Sequence, residues 1–350
     1  MTKEEIIAVF DPNGTADQNA GLYGLPFTVP TAEVVILPVP WEVTVSYRGG
    51  TSRGPGAMRM ASYQVDLFDE DVPDAWKLGL ALDDISGEWL KQSSRVRKNA
   101  IAVIDFYESG TGITELDAQD MTQEINAECA ALHQWVEERC AQYLEMGKIP
   151  AVLGGDHSTP LGLIKALAAK YPSFGILQVD AHADLRDAYE GFEFSHASIM
   201  FNALKVPQVG KLVQVGLRDI CEDEVNLAAA SNGRVVQHTW RQLSAATYRG
   251  VTWDAQCDAI VAGLPKDVYI SFDIDGLDPS LCPNTGTPVP GGLQYEEAVH
   301  LMRKVVESGR RIIGFDLVEV SPGSSEWDAI VGARLLLKMC NLAGKSQGRI

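Results

Sequence analysis

No stretch of this 350-residue chain comes near 18 consecutive apolar residues, so no membrane-spanning helix is expected. The opening MTKEEIIAVFDPNG lacks the apolar core and cleavage site of an export signal, which points to the cytoplasm. Cysteine is sparse and unpatterned. The six residues, at 129, 140, 221, 257, 282 and 340, include no C-x-x-C and no dense framework, as expected of free thiols in a reducing compartment. Positive charge is also short: 29 Lys and Arg face 47 Asp and Glu, a formal net charge of −18. That balance argues against nucleic acid and anionic membranes as partners. It is compatible with a cationic ligand, although excess acid also simply keeps a protein soluble. No G-x-S-x-G elbow occurs and no cysteine sits in a nucleophile context, so covalent hydrolysis has no visible nucleophile.

Acidic residues are present in a telling arrangement. Three stretches, GGDHS (154–158), DAHADLR (180–186) and SFDIDGLDPS (271–280), each follow an apolar run of strand length. They supply His157, Asp180, His182, Asp184, Asp273 and Asp275. Four carboxylates and two imidazoles suit a pair of divalent metals sharing carboxylates. Read as strand continuations, Asp180, His182 and Asp184 point one way, as do Asp273 and Asp275. The bland alternative is a set of turns or an ion-pair network. Buried carboxylates need cations, however, and Arg186 is the only Lys or Arg in these three segments.

The rest of the chain reads as one large α/β domain. Residues 1–30, rich in Gly, Pro, Asn and Asp, read as an irregular arm before a single domain over 31–350. Strands are expected at 34–39, 149–155, 174–180, 211–217, 234–237, 267–273 and 311–317. Helices are expected at 120–147, 159–170, 251–263, 294–309 and 326–343. Residues 58–110 carry helical spacing broken by Pro73 and Gly79 and are ambiguous. Alternating strands and helices, with strands apolar on both faces, predict a mostly parallel sheet covered on both sides, a three-layer α/β/α fold. In such sheets sites lie at the carboxyl ends of strands. The three motifs do so, as do Asp219 after VQVGL and Glu319 after IIGFDLV.

Two metals bridged by carboxylates lower the pKa of a water held between them. Hydrolysis at a trigonal carbon is the reaction class expected. Phosphorus is disfavoured, because no phosphate loop or Arg/Lys cluster accompanies the metals. His196, in FEFSHASIM, is either a proton shuttle or a hydrogen-bonded core residue. Glu319 stands alone among apolar residues and needs a cation, from the chain or from a ligand.

GGDHS, DAHADLR and SFDIDGLDPSLCPNTGTPVPGGL together resemble the signatures of the ureohydrolase family of arginases, agmatinases and guanidino-acid hydrolases, over about residues 33–340. The resemblance implies two manganese ions, with nickel in some relatives. It implies His157, Asp180, Asp184 and Asp273 on one metal, and Asp180, His182, Asp273 and Asp275 on the other. It further implies attack of a metal-bridging hydroxide on a guanidinium carbon, giving urea and an amine. His196 matches the proton shuttle, Glu319 the guanidinium partner, and Asp184 also orients the nucleophile. Trimers or hexamers are the usual assemblies, so a homo-oligomer is expected, with or without a homologous subunit.

Two departures narrow the substrate. Arg186 replaces an Asn, and Cys221 an Asp, that bind the α-carboxylate and α-amino group in arginases. Arginine is therefore not the expected substrate, and a small cationic guanidine without an α-carboxylate, as in agmatinases, is. Arg186 can instead serve a guanidino acid. If Trp41, Tyr47 or Trp327 closes the pocket, free guanidine or a short N-alkylated guanidine or biguanide, with nickel, is the alternative. A non-catalytic partner subunit, and a single-zinc deacetylase of related fold, are readings from other classes; metal stoichiometry separates them.

Overall fold

The computed structural model describes all 350 residues. Eight strands form one sheet: β1 (Val34–Val39), β2 (Leu80–Leu82), β3 (Ile149–Gly154), β4 (Phe174–Val179), β5 (Val209–Leu217), β6 (Val235–Thr239), β7 (Asp267–Asp273) and β8 (Arg311–Val318). Their order is β2-β1-β3-β8-β7-β4-β5-β6, and every pairing is parallel. Parallel strands need crossovers, and helices pack over both faces of the sheet as a three-layer α/β/α fold. Helices Gly87–Ser109, Glu115–Glu145 and Leu161–Lys170 pack together in one group. Helices Gly54–Ser62, Trp253–Ala262, Tyr295–Glu307 and Trp327–Ser346 pack in another. All six residues of β1, β3 and β4 are buried, which is why these strands read as apolar runs, broken only by Gln178 in β4.

Pro38 in β1 looks out of place in a central strand. The N–H of Val34 and the carbonyl of Ile36 face β2, bonding Gly79 and Asp83, whereas the carbonyl of Val39 faces β3. Pro38 therefore turns its missing N–H towards β2, whose pairing ends at Ile36. No ladder bond is lost.

Several expectations are revised. The arm over 1–30 is not irregular throughout: Lys3–Val9 is a helix, closed by a reciprocal capping box between Thr2 and Glu5. Leu22, Tyr23, Leu25 and Phe27 are buried, and Tyr23 Oη donates to the Ala333 carbonyl at 2.6 Å. The arm thus belongs to the contiguous core of 90 buried residues. The ambiguous 58–110 region holds the end of helix Gly54–Ser62, strand β2 and helix Gly87–Ser109. The long helix starts at Glu115 rather than 120, where Thr114 and Asp117 cap each other. Helix Trp240–Tyr248, capped by Thr239 and Gln242, has no counterpart among the expected helices.

The strands that carry the acidic motifs are neighbours. β3, β8, β7, β4 and β5 are consecutive in the sheet, so their carboxyl ends bring 156–158, 319, 273–275, 180–184 and 219 to one rim.

Candidate metal centre

Each motif leaves its strand by a turn that its sequence dictates. After β3 the backbone runs against Trp41, so a Cβ at Gly155 would lie 1.8 Å from the Trp41 carbonyl oxygen. Only glycine fits that approach. The N–H of Asp156 donates to the same oxygen at 2.8 Å, and the turn delivers His157. β4 stops at Val179, so Asp180, His182 and Asp184 do not share a face by strand alternation. They lie on a loop in which Asp184 has a left-handed φ of 54°. The Asp184 carbonyl accepts the N–H groups of Met200 and Phe201 at the start of helix Ile199–Leu204, which explains why the chain reverses there. Asp275 likewise sits in a short 3₁₀ turn, Ile274–Gly276, with its N–H on Asp273 Oδ1 at 2.8 Å. Strand alternation therefore does not account for how these residues come together; the two turns do.

The side chains converge. His157 Nδ1 lies 3.0 Å from Asp180 Oδ2, 2.9 Å from Asp184 Oδ2 and 3.3 Å from Asp273 Oδ2. His182 Nδ1 lies 3.1 Å from Asp275 Oδ2 and 3.6 Å from Asp180 Oδ1. Two groups suited to a cation result, His157–Asp180–Asp273 and Asp180–His182–Asp275, with Asp180 common to both. Asp273 and Asp275 each commit Oδ1 to a backbone N–H, of Asp275 and Ala181 respectively, and turn Oδ2 to the centre.

The hydrogen bonds around His157 fix its tautomer. Nε2 lies 2.9 Å from Ser271 Oγ, and Ser271 Oγ donates to Asp316 Oδ1 at 3.2 Å. With the Ser271 proton spent on Asp316, Nε2 must carry the ring proton, leaving a lone pair on Nδ1. Nδ1 is buried and makes no hydrogen bond of good geometry, although three carboxylates surround it. A lone pair facing carboxylate oxygens is repulsive unless a proton or a metal cation lies between them. The donor set therefore fits divalent metal ions.

Charge behaviour agrees. Burial, then Asp180, pushes the Asp184 carboxyl up to about 7. Burial, Asp275 and Asp180 push Asp273 well above the usual range. Burial alone would lower His157, but Asp180, Asp184 and Asp273 reverse this and raise it. Without added cations the cluster gathers protons, as expected of excess negative charge out of water.

His196 opens the 3₁₀ turn His196–Ser198, half-buried, with its N–H on Thr44 Oγ1 at 3.3 Å. It lines one cavity with His182, Asp184 and Arg186. Burial, then the charges of His182 and His157, holds it down to about 3, so its ring is neutral at working pH. Glu319, with φ 60°, is buried, and its Oε1 accepts the His157 N–H at 2.9 Å. Burial and the Asp156 carboxylate push it well above the usual range. Arg186 is exposed at the cavity mouth, its guanidinium 5.0 Å from the Tyr189 ring centroid. Asp219 lines the same cavity, its Oδ2 4.0 Å from His182 Nε2, and Cys221 lies beside it.

The aromatic expectations are corrected. Trp41 is fully buried and packs edge-on against Trp89, 5.8 Å between centroids, so it is core and not pocket wall. Tyr47 stands 69% exposed beside Arg48. Trp327 is also outside the cavity lining, its indole donating to the Ser280 carbonyl at 3.0 Å. Sequence reasoning missed Ser271 and Asp316, which orient His157, and Thr44, which holds the His196 backbone. A carboxylate inside the apolar run RIIGFDLV was a usable signal for Asp316.

The fold and site define a class: metal-dependent α/β hydrolases in which acidic loops at the carboxyl ends of a parallel sheet hold divalent ions. The arginase family model matches residues 32–341, and the chain belongs to that family. It is similar to the N(1)-aminopropylagmatine ureohydrolase of Thermus thermophilus, 30% identical over 317 residues that cover 91% of this chain and 92% of that one. It is also similar to the agmatinase of Neisseria gonorrhoeae, 30% identical over 344 residues, 95% of each chain. The crystal structure of agmatine ureohydrolase of Thermoplasma volcanium superposes with a TM-score of 0.70 at 22% identity, covering 99% of each chain. The chain is thus a hydrolase of C–N bonds in guanidino compounds. No helix is long and apolar enough to cross a membrane.

Proposed function

We propose that this chain hydrolyses a small cationic guanidino compound lacking an α-carboxylate, of the agmatine type, to urea and an amine. The carrying observation is Glu319, a buried carboxylate with no Lys or Arg partner at the rim that also bears the metal-binding cluster. A guanidinium supplies the missing charge. The names of the Thermus and Neisseria relatives, which refer to agmatine and its aminopropyl derivative, support this substrate class.

His157, Asp180, Asp184 and Asp273 would hold one ion and Asp180, His182, Asp273 and Asp275 the other. Manganese is the proposed metal and nickel the alternative. Bound divalent ions supply an activated water at neutral pH. Asp184 Oδ2, facing the cluster, would orient that water. His196, neutral at rest, would accept a proton given up by the attacking water and relay it to the leaving amine. Glu319 places the guanidinium over the cluster, so that the central carbon faces the attacking water. A homo-trimer or homo-hexamer in the cytoplasm is the proposed setting; six unpaired thiols support a reducing compartment.

Arg186 favours a second reading, a guanidino acid, because its guanidinium lines the cavity mouth and pairs with no carboxylate there. A panel of agmatine, arginine, 4-guanidinobutyrate, free guanidine and methylated guanidines, assayed for urea with manganese and with nickel, tests both. Agmatine or another cationic guanidine without a carboxylate should exceed arginine by more than about tenfold, since an unpaired buried carboxylate costs several kcal/mol. Arginine as best substrate overturns the proposal, and 4-guanidinobutyrate as best substrate replaces it with the second reading. Turnover of free or methylated guanidines alone removes the agmatine-type assignment.

A further inference from the structure

Three adjacent strands each carry a glutamine at the same level: Gln178 on β4, Gln214 on β5 and Gln237 on β6. Gln178 pairs with Gln214, and Gln214 with Gln237, in the sheet register. Gln178 and Gln214 are fully buried, and Gln237 is partly exposed. Their amides form a chain: Gln237 Nε2 donates to Gln214 Oε1 at 3.0 Å, and Gln214 Nε2 to Gln178 Oε1 at 2.6 Å. Gln178 Nε2 donates to Asp180 Oδ2 at 2.8 Å.

The direction of that chain is forced from one end. Gln178 meets only acceptors on its inner side, the Asp180 carboxylate and the His182 carbonyl at 3.3 Å, so its NH₂ must face inward and its oxygen outward. Gln214 must then donate to it, and its second N–H meets the Ala183 carbonyl at 2.7 Å. That leaves Gln214 Oε1 to accept from Gln237. Every link has one orientation.

We propose that this glutamine ladder is a positioning device for the metal-binding loop. It fixes Asp180, common to both ligand groups, by one oxygen, and ties the carbonyls of His182 and Ala183 between that residue and Asp184. Three of the six candidate ligands lie on this loop, and β7 no longer pairs with it beyond Val179. On the β5 side backbone bonds reach only Asp180, whose N–H donates to the Val215 carbonyl at 3.0 Å, and Ala181, whose carbonyl accepts the N–H groups of Arg218 and Asp219. The carbonyls of His182 and Ala183 are left to the glutamines. Four carboxylates repel one another before cations bind, and the amide donors hold the loop in the receiving arrangement against that repulsion. Partners behind metal ligands commonly govern about 10–100-fold in affinity. Gln178, Gln214 and Gln237 are positioning residues and touch no substrate.

The inference rests on the two-metal reading, and one titration separates their failures. Chelator-treated wild type and the Gln178→Leu, Gln214→Leu and Gln237→Leu variants are titrated with manganese(II), the free ion being read by electron paramagnetic resonance. Apo-protein melting is recorded in parallel. Wild type binding fewer than two ions at saturation would sink the two-metal reading itself. The ladder predicts a dissociation constant raised about 10–100-fold in Gln178→Leu, less in Gln214→Leu and least in Gln237→Leu, with two ions still bound at saturation. A merely structural ladder lowers apo melting but leaves manganese affinity at the wild-type value, and that result overturns the proposal. Should Gln178→Leu not fold, Gln214→Leu decides: weakened binding sustains the ladder and unchanged binding refutes it.

Discussion

Glu319 Oε1 accepts the backbone N–H of His157 at 2.9 Å, so the proposed guanidinium partner is pinned to a residue that heads one ligand group. The two lie on neighbouring strand ends, β8 and β3, and Glu319 returns the link through its own N–H on the Gly155 carbonyl at 2.8 Å. The proposed substrate recognition and metal coordination would therefore share one stretch of backbone. A shift of the GGDHS turn moves both.

Asp180→Asn and Asp273→Asn should each lose metal and activity together. Asn preserves shape but removes the charge on which both ions draw at Asp180, and the Oδ2 that faces His157 at Asp273. Metal per chain, by elemental analysis after gel filtration, should fall below two in both variants. Two bound ions with full activity in either would remove that residue from the bridging role.

Much of this was legible in the sequence, for identifiable reasons. Strands buried on both faces announce themselves as VVILPV or FGILQV, and their order along the chain located the motifs at strand ends. The loop geometry was not legible, because the left-handed turn at Asp184 depends on capping a helix that begins at Ile199. Trp41 misled for a related reason. Its place just after β1, at the carboxyl edge of the sheet, suggested a pocket wall, whereas its side chain points into a cluster with Trp89, which packs tilted against Trp135. The glutamine ladder was written in ILQV, LVQV and VVQH, but only strand order shows that these three runs are neighbours.

His196→Ala should retain two metals and slow turnover by roughly 10²–10⁴-fold. The ring sits beside His182 and Asp184 in the cavity and edge-on to Tyr189, 6.3 Å between centroids, yet its hydrogen bonds are its backbone N–H on Thr44 and an Nδ1 approach to Ser195 Oγ. Deleting it removes proton transfer without unseating a ligand. Loss of metal in this variant would reassign His196 to the coordination shell.

Metal affinity should fall steeply on the acid side. In the metal-free chain burial and Asp180 push Asp184 to about 7, and Asp273 and His157 are also shifted upward. Ions must displace those protons, so lowering the pH favours the protonated cluster and raises the apparent dissociation constant. One displaced proton gives about tenfold per pH unit, and several give more. Manganese titrations from pH 8 to 5.5 should therefore steepen below 7. A flat profile would mean the ligands are already ionised and the cluster carries compensating charge of its own.

Glu319→Gln should separate substrate recognition from metal binding. The amide is nearly isosteric, and its oxygen can still accept the His157 N–H, so the GGDHS turn and both ions should be retained. What disappears is the negative charge, in a buried position that Asp156 already makes unfavourable for it. A guanidinium entering the variant loses its ionic partner, at a cost of about 3–5 kcal/mol, or roughly 10²–10⁴-fold in kcat/KM. Because the charge also turns the guanidinium towards the cluster, kcat should fall along with affinity. The measurement is kcat/KM on the best substrate of the panel, with metal content of the same sample as control. An unchanged kcat/KM at two metals per chain would release Glu319 from the guanidinium. The charge needed to bind a cation would then have to come from Asp219, the exposed carboxylate beside His182.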